Sequence, residues 1–240
     1  VFKIVTAIAG LGSGAVTPST TYPEQPPAEE DGLLVSGFRI TDGHHPWTGD
    51  RELALVEATE NSCNIWYALT GLETGGGSLD AYARRLGFYE PIPFDLPTAI
   101  SQLTNGGGPL PGGFEDDVEL ANAAYGQGEV LVTPLQMALV AAAVANGGEL
   151  MEPRLVTAFV DREGRETAVG PSSLGRVVDA RSNAAIVEAM TRAVEGRNGR
   201  RFTEGAKVPG IPTAGKSGTA QLGGSGEPHS WFIGFAPADA

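Results

Sequence analysis

One cysteine, Cys63, stands alone in 240 residues. That excludes a disulfide within the chain and any metal cluster of the CxxC type. Long apolar runs are also missing: none approaches the ~20 residues needed to span a bilayer. Basic residues are scarce, with 16 Lys and Arg against 29 Asp and Glu, giving a formal charge of −13 and a pI of about 4.6. A chain this acidic repels phosphate backbones, so nucleic acid is not an expected partner. The densest acidic spot, Glu29-Glu30-Asp31, reads as a solvated loop. The first residue is Val and no signal sequence is present, so the sequence reads as an internal piece of a longer protein, with any membrane anchor outside it.

Apolar residues make up 41% and charged residues 19%, a globular composition. With 34 glycines and 17 prolines, many turns should separate the regular elements. Apolar Phe2, Val5, Ile8 and Ala9 fall at helical spacing, predicting a helix over 1–11 that ends at Gly12-Ser13-Gly14. Residues 15–50 read as loop, with a brief strand at Leu33-Leu34-Val35. A helix should end near Thr59, turn through Asn61-Ser62-Cys63-Asn64, and restart at about Cys63. Further helices are expected at 79–86 with Ser78 as N-cap, after Thr133-Pro134, and at 180–195 between Asp179 and Gly196. Residues 104–113 read as a flexible loop, and Glu149–Val160 as strand turning at 161–164. Strands at 213–222 and 229–236, joined by a turn at 223–228, should make a hairpin. Together these indicate an α+β fold in which a helical lobe packs beside an antiparallel sheet.

Three short signals carry chemistry: Lys3 at the start of an apolar helix, Ser62-Cys63-Asn64 in a turn, and Lys216-Ser217-Gly218-Thr219 on a strand. Alone, each has a plain structural reading: a surface lysine, cap residues, and an edge strand guarded by a charge. Their order adds information. Lys3 and Ser62 lie 59 residues apart, and Ser62 and Lys216 lie 154 apart. This set resembles the penicillin-binding proteins, whose motifs are S-x-x-K, S-x-N and K-[ST]-G, and the long second gap resembles their class B members. Flanking text agrees nearly end to end: Tyr125-Gly126-Gln127-Gly128, Thr133-Pro134-Leu135-Gln136, Ala145-Asn146-Gly147-Gly148, and His229 through Pro237. The resemblance implies the penicillin-binding protein/β-lactamase-like transpeptidase fold over 1–240. It places the motif serine immediately before Val1, and expects a final strand and helix beyond Ala240.

The same resemblance implies D,D-transpeptidation: a serine attacks the D-Ala-D-Ala bond of a peptidoglycan stem peptide and passes the acyl group to another stem. It implies Lys3 as the base one helical turn after the serine, Ser62 as a proton relay, and Lys216 as the second cation that helps to lower the pKa of Lys3. Asn64 would bind the substrate's amide, Lys216, Ser217 and Thr219 would meet its carboxylate, and Gly218, lacking a side chain, would let the substrate lie against the strand as an added β-strand. The partners implied are stem peptides, β-lactams, glycan polymerases and division or elongation proteins. The expected setting is the extracytoplasmic face of a membrane, with no cofactor.

Cys63 reads as a packed residue rather than a nucleophile. A metal site of His44, His45 and His229 is not expected, because adjacent histidines point apart and no carboxylate spacing accompanies them. Trp231, Phe232 and Phe235 read as core aromatics. Two rivals remain. One is a β-lactamase or D,D-carboxypeptidase on the same fold, although no E-x-x-L-N stretch lies between Ser62 and Lys216. The other is a catalytically dead binding module, which would have no reason to keep the three motifs.

Overall fold

The computed structural model describes residues 1–43, 45–221 and 226–239. At its centre lies helix α1 (Lys3–Ser13), buried on every side from Lys3 to Leu11. A helix apolar all round belongs in a core, and α1 is enclosed by α4 (Asn64–Thr74), α5 (Gly76–Arg85), α6 (Asp117–Tyr125) and α8 (Ala180–Glu195). Gly14, in the left-handed region at φ 77°, ends it.

Helix α3 (Leu55–Glu60) and α4 are joined by the turn that carries Ser62. The turn is a Schellman motif: Cys63 N–H donates to Ala58 O at 2.9 Å and Ser62 N–H to Thr59 O at 3.2 Å. Ser62 takes the left-handed position at φ 59°, where glycine is usual. A non-glycine residue there costs about 1–2 kcal/mol, so this turn trades some stability for a hydroxyl.

Helix α7 (Pro134–Ala145) starts as expected, with Thr133 Oγ1 accepting from Gln136 N–H at 3.0 Å. Helix α8 starts on the Asp179 carboxylate, which accepts from Arg181 and Ser182 N–H, and closes at Gly196. It packs against α3 and against strand β7 (Ala214–Ala220). Strand β7 pairs in antiparallel register with β8 (His229–Phe235), Lys216 opposite Ile233. The other described strands form antiparallel pairs: β1 (Leu33–Val35) with β2 (Phe38–Ile40), β3 (Glu149–Met151) with β6 (Ser173–Arg176), and β4 (Ala158–Val160) with β5 (Glu166–Ala168). A short helix α9 (Arg200–Thr203) follows α8. No described helix is long and apolar enough to cross a membrane.

Several expectations need correction. Residues 25–31 form a helix, α2 (Gln25–Asp31), not a loop. Pro26 and Pro27 sit in its first turn, where a missing N–H costs nothing. The acidic run is therefore helical, and the Glu29 side chain is only 7% exposed. Helix α6, capped by Asp116, lies where no helix was expected. Helix α5 begins at Gly76 rather than after Ser78, because Gly76 packs against Pro111 and Phe114 with no room for a Cβ. In β8 the buried residue is Ile233; Phe232 is exposed and lays its ring over Gly215 and Gly234. The expected turn at 223–228 falls partly outside the described residues.

Gly71 of α4 meets Ala124 of α6 so closely that a Cβ at Gly71 would run into the Ala124 methyl. Gly71→Ala should separate these helices and cost about 1–2 kcal/mol despite alanine's better helix propensity. Urea unfolding of the two proteins measures this; an unchanged or higher midpoint contradicts the packing.

Candidate active site

A cleft of about 1160 Å³ opens where α1, the Ser62 turn and β7 meet; Val1, Lys3, Ser62, Asn64, Ser217, Gly218, Thr219 and Trp231 line it. Lys3 is the first residue of α1, and its ammonium donates to Ser62 O at 2.9 Å, Ser62 Oγ at 3.3 Å and Asn64 Oδ1 at 2.7 Å. Lys216, on β7 beneath the cleft, donates to Ser62 Oγ at 2.8 Å and Ser217 O at 3.0 Å. The three motifs, far apart in sequence, thus converge on one hydroxyl.

Both lysines are almost fully enclosed, Lys3 at 6% and Lys216 at 1% exposure. Burial holds Lys3 below its ordinary value of 10.5, with Asp42 pulling the other way. Lys216 is held well below, by burial first and by the Lys3 charge second. The sequence reading assigned the depressed amine to Lys3; burial depresses both lysines. Two ammonium groups on one buried hydroxyl repel each other. Losing one proton leaves an amine that accepts the Ser62 O–H, which makes a lysine–serine–lysine proton path.

Strand β7 has a second edge with no strand partner among the described residues. Ser217 O accepts from Val1 N at 3.5 Å, and Thr219 O from Gln127 Nε2 at 2.9 Å. Within one extended residue N–H and C=O point to the same side, so the N–H groups of Ser217 and Thr219 also face this edge. Gly218 is required for a reason beyond the one expected: a Cβ there would run into Val1 N. The strand thus lies directly against the entry to α1. Asn64 is held at both ends, its Nδ2 donating to Thr41 O at 3.1 Å.

Sequence reading missed Gln127 and Asp42 as members of this cleft. Gln127 sits in the quoted Tyr125–Gly128 stretch, which was its only signal. Trp231, read as core, is half-buried at the cleft wall.

A family model described as "Penicillin binding protein transpeptidase domain" matches residues 1–240. The chain belongs to that family. It is 31% identical over 243 residues to the peptidoglycan D,D-transpeptidase PbpA of Mycobacterium tuberculosis, covering 100% of this chain and 46% of that protein. Penicillin-binding protein A from M. tuberculosis, solved as a ceftriaxone acyl-enzyme complex, superposes with a TM-score of 0.79 at 29% identity, covering 99% of this chain and 51% of that one. The D,D-transpeptidase domain of a peptidoglycan glycosyltransferase from Eggerthella lenta gives 0.79 at 26% identity, covering 99% and 56%. The chain therefore spans about half the length of the relatives it matches.

A lysine with a depressed pKa binds fewer protons folded than unfolded between its folded value and 10.5, so its penalty on folding is full below the folded value and fades as pH rises toward 10.5. Lys216→Met should therefore stabilise the protein by roughly 1–2 kcal/mol near neutrality, and its advantage over the wild type should shrink as pH rises. Urea unfolding at pH 7 and pH 9.5 reads both effects. A variant that is less stable at both pH values contradicts an uncompensated Lys216.

Proposed function

We propose that this domain is the catalytic part of a peptidoglycan D,D-transpeptidase that works through a serine acyl-enzyme, and that Lys3, Ser62 and Lys216 are its proton-transfer groups. The observation that carries the reading is the Ser62 hydroxyl held between the two buried lysine amines. The acyl-enzyme complex of the mycobacterial relative supports covalent acylation as the chemistry of this fold.

The nucleophile of this reading is a serine immediately before Val1. Lys3 then lies one helical turn away on the same face. Its neutral amine takes the serine proton as the oxygen bonds to the scissile carbonyl carbon. The carbonyl oxygen becomes an oxyanion, stabilised by the N–H of Thr219 on the free β7 edge and by that of the serine at the positive end of α1. As the tetrahedral carbon collapses, the C–N bond breaks and the departing D-Ala nitrogen takes a proton from Ser62 O–H. Ser62 is re-protonated from the lysines. A second stem's amine then attacks the ester, loses its proton along the same path and regenerates the serine.

Asn64 presents its side-chain amide to the substrate peptide, while Lys216, Ser217 and Thr219 receive the substrate carboxylate. The extended stem lies along β7 as an added strand. β-Lactams acylate the same serine. The protein acts outside the cytoplasm on a membrane anchor beyond these residues, beside glycan polymerases and division or elongation proteins.

The test uses the full-length protein and a fluorescent penicillin. Wild-type protein should label covalently. Lys3→Ala should slow acylation by roughly 10²–10⁴-fold. Ser62→Gly suits the left-handed turn position and should keep the fold, yet slow acylation by at least about tenfold. Labelling undiminished in both variants contradicts the proposal, and rapid multiple turnover of nitrocefin would assign the site to a β-lactamase instead.

A further inference from the structure

Beside the Ser62 turn, at the margin of the same cleft, a second cluster carries no step of the proposed reaction. Ligand atoms of Glu29, Asp42 and His45 lie within 4.8 Å of one another. The Cys63 thiol borders them: its Sγ donates to Glu29 Oε1 at 3.5 Å and accepts from Trp66 N–H at 3.3 Å. His45 is 4% exposed, and its Nδ1, 3.3 Å from Glu29 Oε1, makes no hydrogen bond among the described residues. Two half-buried carboxylates and a buried imidazole thus converge, with the thiol beside one of the carboxylates. Without a cation there, the carboxylates repel each other, and the imidazole nitrogen has only the Glu29 oxygen beside it.

We propose that Glu29, Asp42, His45 and Cys63 bind one divalent transition-metal ion, and that its bond to Cys63 sulfur pins the turn that carries Ser62 and Asn64. A set of one sulfur, one imidazole nitrogen and two carboxylate oxygens is the four-coordinate chemistry of zinc. On binding, the thiol proton leaves to solvent, and the thiolate bonds the ion. Supporting contacts orient the ligands. Gln25 Nε2 donates to Glu29 Oε1, and Gln25 Oε1 accepts from Leu53 N–H at 2.8 Å. Asp42 accepts from Gly43 N–H at 2.8 Å and from Ile65 N–H at 3.1 Å. Full enclosure of the sulfur, at 0% exposure for Cys63, suits a closed structural site.

Sequence spacing did not reveal this site because its ligands come from three separate segments: α2, the stretch after β2, and the turn between α3 and α4. The histidine trio considered from sequence was the wrong set. His44 lies outside the described residues, and His229 is exposed at the start of β8.

Cys63 lies between the two motif residues, and Ser62 is held in a left-handed conformation. An ion on Cys63 fixes the residue that follows that strained position. The site itself stands whatever reaction the cleft performs; only its effect on acylation rests on the transpeptidase reading.

The experiment is cobalt titration of the full-length protein after removal of bound metal by a chelator. One Co²⁺ per chain should bind with a strong tetrahedral visible spectrum and a near-ultraviolet thiolate-to-cobalt charge-transfer band. Zn²⁺ should abolish both bands and raise the melting temperature. Cys63→Ser should lose the charge-transfer band, and Glu29→Gln should weaken Zn²⁺ binding at least about tenfold. Metal-depleted protein should be labelled more slowly by penicillin and recover with Zn²⁺. Wild-type protein that binds no stoichiometric Co²⁺, or gives a weak six-coordinate spectrum without the sulfur band, overturns the site. Bound metal with the sulfur band in a protein that penicillin does not label supports the site and counts against the transpeptidase reading alone.

Discussion

A single serine hydroxyl shared by two buried lysines is the constraint around which the rest of the structure is arranged. Among the described residues neither ammonium has a carboxylate in contact, so the fold must supply enough packing to keep two cations out of water. Helix α1 does this for Lys3, since it is enclosed along almost its whole length. Helix α8 does it for Lys216, supporting β7 from behind. The repulsion between the amines would drive them apart in a loose structure. Here Ser62 Oγ, Ser62 O, Asn64 Oδ1 and Ser217 O together hold them by hydrogen bonds.

The cost of this arrangement is visible in the backbone. Ser62 occupies the position in a Schellman turn where glycine would be relaxed. Gly218 leaves no side chain between β7 and the entry to α1. Both of these features lie at the cleft, where sequences that otherwise agree with their fold are expected to carry strain.

Much of the fold was legible because local signals and tertiary packing agree. Helix α8 announces itself through the Asp179 cap, its apolar periodicity and Gly196; α7 does so through Thr133-Pro134. The missed elements are those whose local signals point the wrong way. Pro26 and Pro27 resemble a loop until they are placed in a first helical turn, and Gly76 resembles a break although it marks a close approach. The cleft residues Lys3, Ser62 and Lys216 were legible only as motifs in order, since nothing in periodicity brings positions 59 and 154 residues apart to one atom. Gln127, Asp42 and the cluster beside Cys63 escaped because they depend on where loops cross after folding.

The central claim is tested most directly by following the Lys216 amine itself, by NMR titration with an isotope label on lysine, in the wild type and in Lys3→Met. The account predicts a wild-type midpoint well below 10.5 that rises when the neighbouring charge at Lys3 is removed. A wild-type midpoint at the ordinary lysine value, or one that does not move in Lys3→Met, would contradict it.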